Sequence, residues 1–434
     1  MLDRRPTRRR FLQSAACSVA APWVIPSSAL GDAQKAAPSE RITIGHIGVG
    51  NRGRALLRGF VQCKESQSVA VADAYQERRE ACAAMIGGKG YADFRELLAR
   101  SDVDAVVVAT PDHWHVPIAN AAARAKKHAY VEKPLGLSIE QDLACRKLFE
   151  DNRRVFQYGT QQRSSKHCRF GCELVRSGKI GPVHTIEVIA PNGGAGGSTD
   201  EVPVPPGLDY EMWLGPAPKK PYTVDRCKPT GTYWIYDQSI GYLAGWGAHP
   251  LDIMVWGSLA DLSGPIEVEG RGVIPDKGLY DCVYNWDMRL RLGPNVKMTF
   301  KPGGDSTKFI GPEGWVEVRR KGLDAEPKSL LNLTLGPNDV HLFESPRQDQ
   351  NFIDSIKAGR PAVSNVEDAV RSDVISHLCD IAVRLGTQTE VDEKTKLTYR
   401  IAKKIVWDPK REVIVNDAEA TKRLRREMRG PWTL

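Results

Sequence analysis

The feature that most constrains the fold is a short apolar strand that runs directly into a glycine-rich turn. Residues 41–57 read RITIGHIGVGNRGRALL, and helical spacing continues to Val61. In a strand–GxGxxG–helix unit, the first glycine permits a tight turn, the second lets the backbone approach a pyrophosphate, and the third lets helix and strand pack closely. Unpaired N–H groups at the helix amino terminus then face the phosphates. The segment therefore predicts a dinucleotide site on Gly48, Gly50, Asn51, Arg52 and Gly53.

A second apolar strand places a carboxylate at the same site. Residues 68–72 run into Asp73, which lies 23 residues after Gly50. A carboxylate at this distance accepts hydrogen bonds from a ribose hydroxyl and repels a 2′-phosphate, so Asp73 favours NAD over NADP. Arg78 and Arg79 lie close enough in the sequence to weaken that preference. We therefore expect NAD as the cofactor, with NADP as the alternative.

Strand and helix patterns continue to alternate through residue 158, which is typical of a doubly wound parallel sheet. Ligands of such sheets bind at the carboxyl ends of the strands. A polar cluster at 110–115 follows one strand, and a second cluster at 132–134 ends the next. We expect the following members of these clusters to join the glycine turn around the cofactor: Thr110, Pro111, His113, His115, Glu132 and Lys133.

The amino terminus has the pattern of an export signal. Residues 7–12 read TRRRFL, which fits the twin-arginine motif, and small residues at 27–29 offer a cleavage site. The apolar stretch between them, 14–25, is shorter than the ~20 residues of a transmembrane helix. We expect export of the folded protein to the periplasm by the twin-arginine machinery, without membrane insertion. A basic tail with no targeting role is the alternative.

Composition narrows the classes of partner. The 434 residues carry a net charge of +8, and part of it lies in an arginine cluster within the first ten residues. A basic stripe interleaved with aromatic residues is not evident elsewhere, so nucleic acid is not an expected partner. Nine cysteines are scattered, and the closest pair, Cys168 and Cys172, lacks a second pair or a histidine partner. We therefore expect buried thiols rather than a zinc site or a disulfide framework.

Two motifs in this order resemble the Gfo/Idh/MocA family, the group of glucose–fructose oxidoreductase and inositol dehydrogenase. They are EKP at 132–134 and GAHPLD at 247–252. The resemblance implies an α/β Rossmann domain followed by an α+β domain with a large open, mainly antiparallel sheet, and a homodimer or homotetramer. We place the signal and linker at 1–40, the NAD(P)-binding domain at 41–158 and the substrate-binding and oligomerisation domain at 159–434.

The resemblance also implies the roles of three side chains. Lys133 matches the EKP lysine, and partial desolvation beside a cationic nicotinamide would lower its pKa and suit it to proton transfer. His249 matches the catalytic histidine, whose near-neutral pKa suits exchange of the substrate proton. Asp252 shares a helical face with His249 and is expected to orient the imidazole or to bind a sugar hydroxyl. No third ligand at convincing spacing accompanies this pair, so we expect no metal site.

One position departs from the family pattern. Inositol dehydrogenase and many relatives have an aspartate four residues before the catalytic histidine, whereas this chain has Gly245. Glycine offers no group that accepts a proton, so either another residue supplies the base or the chemistry differs. The nearby candidates for the base are Tyr233, Tyr236, Asp237 and His113. Three aromatic residues lie near this position, namely Trp234, Tyr242 and Trp246. They either form a platform for a sugar ring or pack in the core, and the sequence leaves both interpretations open.

Together these features predict an exported NAD(P)-dependent oxidoreductase that transfers a hydride between a sugar, cyclitol or related polyol and a tightly bound cofactor. Two alternatives stay open. One is a glycosidase or lyase that uses bound NAD for successive oxidation, elimination and reduction. The other is a carbohydrate-binding relative that kept the fold and lost catalysis.

Overall fold

The computed structural model describes residues 36–258 and 262–434. The predicted export signal therefore lies outside the described residues. The chain divides into two compact units, Met1–Arg41 and Ile42–Leu434. Within the first unit, the described residues contain a 3-10 turn at Pro38–Glu40. The elements that follow all belong to the second unit.

The first sheet contains six strands. They are β1 (Ile42–Ile47), β2 (Ser66–Ala72), β3 (Lys89–Tyr91), β4 (Ala105–Val108), β5 (His128–Val131) and β6 (Phe156–Tyr158). All of them pair in parallel, in the order β3-β2-β1-β4-β5-β6. This order is that of doubly wound dinucleotide-binding folds, and it confirms the predicted Rossmann domain.

Helices pack on both faces of this sheet. They are α1 (Asn51–Val61), α2 (Gln76–Ile86), α3 (Phe94–Leu98), α4 (His115–Arg124) and α5 (Ile139–Asp151), with a 3-10 turn at Asp112–Trp114 before α4. Successive valines of β4 enter different cores: Val107 packs in the cluster that contains Phe60 of α1, and Val108 in the cluster that contains Ile118 of α4. A strand covered on both sides needs no polar face, which explains the uninterrupted AVVV of β4.

The register of this sheet gathers the predicted site at one edge. Ile47 of β1 lies opposite Ala72 of β2 and Val108 of β4, and Val108 lies opposite Val131 of β5. These four residues end their strands, so the segments that follow them leave the sheet side by side. The glycine turn, Asp73, the 110–115 cluster and Glu132-Lys133 are those segments.

The second sheet contains eleven strands. They are β7 (Thr185–Ala190), β8 (Ile266–Val273), β9 (Asn285–Leu292), β10 (Val296–Pro302), β11 (Ser306–Gly311), β12 (Gly314–Arg319), β13 (Gly322–Glu326), β14 (Thr389–Val391), β15 (Thr398–Ile401), β16 (Ile405–Asp408) and β17 (Val413–Ile414). The order is β13-β12-β11-β7-β10-β9-β8-β15-β14, with β16 also on β8 and β17 on β16. Only β7 and β10 pair in parallel within this described sheet, which confirms a mainly antiparallel arrangement.

Eight further helices lie between Lys166 and Lys422. They are α6 (Lys166–Arg176), α7 (Tyr210–Leu214), α8 (Val224–Cys227), α9 (Tyr242–Gly245), α10 (Ala248–Gly257), α11 (Gln348–Ala358), α12 (Val366–Leu385) and α13 (Ala418–Lys422). Short 3-10 turns lie at Gln161–Ser164, Thr232–Trp234 and Lys328–Asn332. The longest helix, α12, starts at a capping box in which Asn365 and Asp368 exchange side-chain and backbone hydrogen bonds, and it ends at Gly386.

Helix α11 returns from the second half of the chain to the first sheet. Phe352 packs edge-on against Phe60 and Tyr130, and the Tyr130 hydroxyl donates to Gln348 Oε1 at 2.8 Å. One side of the parallel sheet is thus completed by residues far away in the sequence. The proposed division of the chain near residue 158 stays a prediction.

The thiols of the described residues are buried and free. These are eight cysteines, and none of them forms a disulfide. Across 36–258 and 262–434, no helix combines the length and apolar character needed to cross a bilayer.

Candidate active site

The glycine turn has the close backbone contacts that its motif requires. Gly48 has a φ of +80°, and a Cβ there would lie 2.7 Å from the backbone of Ala109 and Thr110. A Cβ on Gly53 would lie 1.9 Å from the Gly48 carbonyl oxygen. No side chain caps the first turn of α1, whose cap residue is Gly50. The N–H groups of that turn therefore stay available for a phosphate.

An open cleft of about 350 Å³ runs from this turn along the edge of the parallel sheet. Its lining on the sheet side includes Gly48, Gly50, Asn51, Arg52, Asp73, Thr110 and Pro111. The opposite lining comes from two later segments, Met212–Trp213 in α7 and residues 227–233. Most of the predicted cofactor residues therefore line a single cleft, and the two later segments line the rest of it.

Asp73 lies in this cleft with both carboxylate oxygens directed by the backbone. Oδ2 accepts the Val49 N–H and Oδ1 accepts the Tyr75 N–H, each at 2.8 Å. Burial raises the pKa of the Asp73 carboxyl, and the two backbone donors oppose that rise. The Arg78 guanidinium stacks 3.7 Å from the centre of the Tyr75 ring and also lines the cleft. A cation therefore stands beside the carboxylate that is expected to select NAD.

Lys133 lies where the cofactor cleft meets a second cavity of about 190 Å³. Arg52, Ala109, Thr110 and Tyr233 line both spaces. The Lys133 ammonium donates to the Gly245 carbonyl oxygen at 2.5 Å and lies 5.9 Å from the centre of the Tyr233 ring. Burial lowers the pKa of the Lys133 amine, while the charges of Glu132 and Asp112 oppose the change. The structure thus gives this lysine the lowered pKa that the sequence analysis anticipated.

Glu132 is held away from free solvent by a short ion pair. Arg52 donates from Nε to Glu132 Oε1 at 2.6 Å, and the carboxylate is almost fully buried. Because Arg52 lines the cofactor cleft as well, this pair couples the glycine turn to the end of β5.

His249 is a buried residue of the first turn of α10. Its Nδ1 has no hydrogen-bond partner among the described residues, and the Trp246 ring packs edge-on at 6.0 Å. Burial lowers the pKa of the imidazole well below its usual value, and the charges of Lys133 and Arg320 add to this effect. The imidazole of His249 is therefore neutral, and the charge of Lys133 acts on it.

Asp252 has a different partner from the one the sequence suggested. Its fully buried carboxylate receives three hydrogen bonds of 2.7–3.0 Å from Arg163, which also pairs with Asp368 at 3.0 Å. No hydrogen bond joins Asp252 to His249 in the described structure, although both lie on α10. Arg163 saturates the carboxylate because a buried charge without a partner is costly. Asp252 thus ties α10 to the 3-10 turn at Gln161–Ser164.

The two histidines of the 110–115 cluster form hydrogen bonds with backbone carbonyl groups around the cleft. His115 bridges two strand ends, with Nδ1 at 2.6 Å from the Pro134 carbonyl oxygen and Nε2 at 2.9 Å from that of Thr110. His113 Nε2 lies 3.0 Å from the Trp213 carbonyl oxygen. Neither side chain lines the cofactor cleft, and His113 lines a separate cavity.

The candidates for the missing base separate in space. Tyr233 lines the cavity that contains Lys133, whereas His113, Tyr236 and Asp237 line the separate cavity near the carboxyl terminus. Burial raises the pKa of the Tyr233 phenol, with further contributions from Asp112 and Glu132. At neutral pH this hydroxyl therefore keeps its proton and can donate a hydrogen bond.

The aromatic residues named from the sequence form one contiguous set. Trp234 and Tyr242 lie 4.3 Å apart by ring centres, and Tyr242 lies 5.7 Å from Trp246. The Arg320 guanidinium stacks 5.0 Å from the Trp246 ring and pairs with Asp305 at 3.0 Å.

Two polar residues of this region were missed by the sequence reasoning. Asp112 lines the Lys133 cavity and stands inside the 110–115 cluster, but no spacing rule distinguished it from its neighbours. Arg320 comes from the hairpin between β12 and β13, more than 180 residues after Lys133. No local signal in the sequence connects that hairpin to the site.

The fold and the cleft define a dinucleotide-binding protein with a Rossmann domain and a second domain built on an open sheet. Residues 42–160 match the family described as "Oxidoreductase family, NAD-binding Rossmann fold", and residues 195–399 match its "C-terminal alpha/beta domain". Together the two matches cover most of the chain. The protein belongs to the Gfo/Idh/MocA oxidoreductases, with NAD as the cofactor of its Rossmann domain.

Individual relatives match over shorter stretches. The chain is 28% identical over 169 residues to inositol 2-dehydrogenase of Rhizobium meliloti strain 1021, which covers 39% of this chain and 48% of that one. It is 33% identical over 159 residues to glycosyl hydrolase family 109 protein 2 of Shewanella sp. strain ANA-3, which covers 32% and 35%. The chain thus matches less than half the length of these curated relatives.

Solved structures share the fold over longer stretches. Levoglucosan dehydrogenase in complex with NADH and levoglucosan superposes with a TM-score of 0.58 at 17% identity, covering 77% of this chain and 95% of that one. A putative myo-inositol dehydrogenase from Sinorhizobium meliloti 1021 gives a TM-score of 0.54 at 20% identity, covering 79% and 96%. At these identities the likeness concerns the fold alone.

Proposed function

We propose that this protein is an NAD-dependent oxidoreductase that acts on a sugar, a cyclitol or a related polyol. The observation that carries the proposal is the position of Lys133, a partly buried amine at the junction of the cofactor cleft and a polar cavity. Hydride transfer from a carbinol needs a group that holds the oxygen and a group that takes its proton. The polar cavity offers both kinds of group next to the cleft.

Separate residues bind the cofactor, orient the substrate and support the catalytic helix. The turn from Gly48 to Gly53 and Asp73 hold the dinucleotide, which when bound supplies the hydride acceptor. Lys133 orients the reacting oxygen of the substrate. His249 is neutral and buried, and it polarises the substrate hydroxyl once substrate excludes water. Asp252, engaged by Arg163, holds the helix that carries His249.

The test is a substrate screen on the purified full chain. Binding of NAD and NADP is measured by calorimetry, and reduction of the cofactor is followed by fluorescence with a panel of cyclitols, free sugars and anhydrosugars. Turnover with at least one polyol supports the proposal. NAD binding without turnover on any member of a broad panel would contradict it and favour a carbohydrate-binding protein.

A second candidate function is a glycosidase that uses NAD in a closed redox cycle. The match to a relative named as a glycosyl hydrolase of family 109 favours this candidate, and so does the glycine at position 245, where the resemblance leads us to expect an aspartate. In such a cycle the hydride is removed, the glycosidic bond is broken by elimination, and the hydride returns. Simple oxidoreduction remains our first proposal.

The two candidates differ in the fate of the cofactor. The purified protein is incubated with sugars and with glycosides, without added NAD, while bound NADH and released products are both measured. Release of an aglycone with no net NADH supports the cycle. Free NADH that accumulates in step with added NAD, together with rapid cofactor exchange, supports an ordinary dehydrogenase.

Export and assembly complete the proposal. We propose that the twin-arginine signal carries the folded protein to the periplasm with its cofactor already bound, which accounts for an NAD site in an exported protein. We also propose a homodimer or a homotetramer. Sedimentation analysis of the mature protein tests the assembly, and a monomer at micromolar concentration would contradict it.

A further inference from the structure

The cavity beside the cofactor cleft contains two carboxylates in different situations. Glu132 is paired with Arg52 at 2.6 Å and also accepts the Lys133 backbone N–H at 3.3 Å. Asp112 is 3% exposed, and its Oδ2 accepts the Ser239 hydroxyl at 2.6 Å. Within the described chain, no lysine, arginine or histidine nitrogen forms an ion pair with Asp112. Asp112 is therefore the carboxylate of this cavity whose charge is not already neutralised by contact.

The sheet brings Asp112 and Lys133 to the same place. β4 and β5 are neighbours, with Val108 opposite Val131, and both strands end at these residues. Asp112 follows β4 in a 3-10 turn, and Lys133 follows β5 after one residue. Both residues line the cavity of about 190 Å³, which Tyr233 also lines.

The charges of the two side chains influence one another. Burial raises the pKa of the Asp112 carboxyl, and His115, the Ser239 hydroxyl and Lys133 oppose that rise. Burial lowers the pKa of the Lys133 amine, and Asp112 opposes that fall. Burial thus shifts the two pKa values toward one another, and the charge of each group acts on the other. Other charged or titratable groups face the same cavity or act on it electrostatically; they are Arg52, Glu132, His115, Tyr233, Tyr242 and Arg320.

The position that lacks a carboxylate lies next to two residues of this region, Tyr233, which lines the cavity, and Tyr242. A Cβ on Gly245 would lie 4.0 Å from the Tyr233 ring and 3.7 Å from Tyr242, with no closer obstruction. The Gly245 carbonyl oxygen is the acceptor for Lys133. The Asp112 carboxylate thus belongs to the Rossmann domain, whereas a carboxylate at position 245 would belong to α9.

We propose that Asp112 is the general base of the reaction, an inference that rests on the proposed oxidoreductase function. Lys133 donates a hydrogen bond to the carbinol oxygen. The O–H proton passes to the Asp112 carboxylate, the C–H hydrogen leaves with its electron pair to the nicotinamide, and the carbon–oxygen double bond forms. In the reverse direction the protonated Asp112 returns the proton. Ser239 positions the carboxylate through its hydroxyl.

The test compares Asp112→Asn and Asp112→Ala with Asp276→Asn, which changes an exposed carboxylate outside the site. The probes are myo-inositol, levoglucosan and p-nitrophenyl α-N-acetylgalactosaminide. We expect both Asp112 variants to lose about 10²–10⁴ in turnover, with NAD affinity unchanged and Asp276→Asn at wild-type turnover. Sodium formate should restore part of the activity of Asp112→Ala, because it supplies a carboxylate to the vacated space.

Two results would overturn the inference. The first is near-wild-type turnover by Asp112→Asn; the second is an Asp112→Asn variant whose lost turnover is accompanied by lost NAD affinity or a lower unfolding temperature, which would assign Asp112 a structural role. If wild type turns over none of the three probes, the proposed substrate class fails separately. The titration of the Lys133 amine, followed by nitrogen NMR, then decides: loss of the Asp112 charge should lower the titration midpoint, and an unchanged midpoint would reject the pairing.

Discussion

At the scale of single residues, Lys133 connects the cofactor cleft with the cavity proposed for the substrate. It is also the residue for which motif and structure agree most closely, since the EKP motif predicted a lysine with a lowered pKa and burial provides it. His249 adds a neutral imidazole nearby, with Nδ1 free of partners among the described residues.

Replacement of either residue should impair chemistry and spare cofactor binding. We expect Lys133→Ala and His249→Ala to lose about 10²–10⁴ in turnover, the usual contribution of a positioned acid or base. NAD affinity, measured by calorimetry, should hardly change, because the glycine turn and Asp73 hold the dinucleotide. Lys301→Ala on the second sheet, where the side chain is half exposed, is the matched control. If a variant keeps wild-type turnover on the true substrate, the replaced residue takes no part in the mechanism.

Asp73 should select NAD. We expect Asp73→Ala to weaken NAD binding by about 1–3 kcal/mol, the cost of losing a charged hydrogen-bond partner. Because Asp73 also accepts two backbone N–H groups of the turn, thermal unfolding of the variant must be compared with wild type. Asp276→Ala, at an exposed position, serves as the control. Tighter binding of NADP than of NAD by the wild-type protein would show that this assignment is wrong.

At the scale of elements, a buried network joins α5 and α12 to the loop after Lys133. Asp142 of α5 lies 3.3 Å from His377 of α12, and Asp373 of α12 accepts the Leu135 N–H at 2.5 Å and the Tyr158 hydroxyl at 2.6 Å. The ligand-type atoms of Asp142, Asp373 and His377 lie within 4.8 Å of one another. The absence of a metal site stays a prediction, and the hydrogen bonds assign the network a structural role.

This network should make the fold less stable as the pH rises. Burial, reinforced by Asp142, raises the pKa of Asp373 from 3.8 to about 7. For His377, burial lowers the pKa, but the close contact with Asp142 and its charge outweigh this effect and raise the pKa overall. The folded state therefore holds protons that the unfolded state has released, and stability falls as pH rises from about 4 through about 7.

Asp373→Asn should flatten this dependence. We expect the wild-type free energy of unfolding, measured by urea denaturation between pH 5 and 8, to decline more steeply than that of the variant. Asp276→Asn is the exposed control and should keep the wild-type slope. Equal slopes for wild type and Asp373→Asn would assign the pH dependence to other groups.

At the scale of the whole molecule, an NAD site and a predicted export signal must be reconciled. A twin-arginine pathway does so because it carries folded proteins. We expect replacement of Arg8 and Arg9 by lysine to leave the folded protein in the cytoplasm, measured by cell fractionation and immunoblotting. Lysine substitution at Arg4 and Arg5, outside the motif, is the matched control. Unchanged periplasmic recovery of the Arg8/Arg9 variant would refute the export proposal.

The sequence alone determined the parallel sheet, the glycine turn, the carboxylate after β2 and the lysine after β5. These features are local: strand period, glycine spacing and the position of a residue after a strand are written within a few neighbouring positions. Most of the cofactor cleft follows from them, because the ends of parallel strands meet at one edge. The buried thiols of the described residues also followed from their lack of metal or disulfide spacing.

Only the tertiary structure decided which polar groups share a cavity. Asp252 looked like a partner of His249 three residues away, but Arg163, 89 residues earlier, takes its carboxylate. His113 and Asp112 are neighbours in the sequence, yet they face different cavities. Helix α11 completes a core more than 200 residues before it. Such contacts depend on the direction in which each backbone segment leaves its helix or strand. They also depend on which opposite charge lies nearest to a side chain once water is excluded. Neither the direction nor the neighbour can be read from the spacing of residues along the sequence.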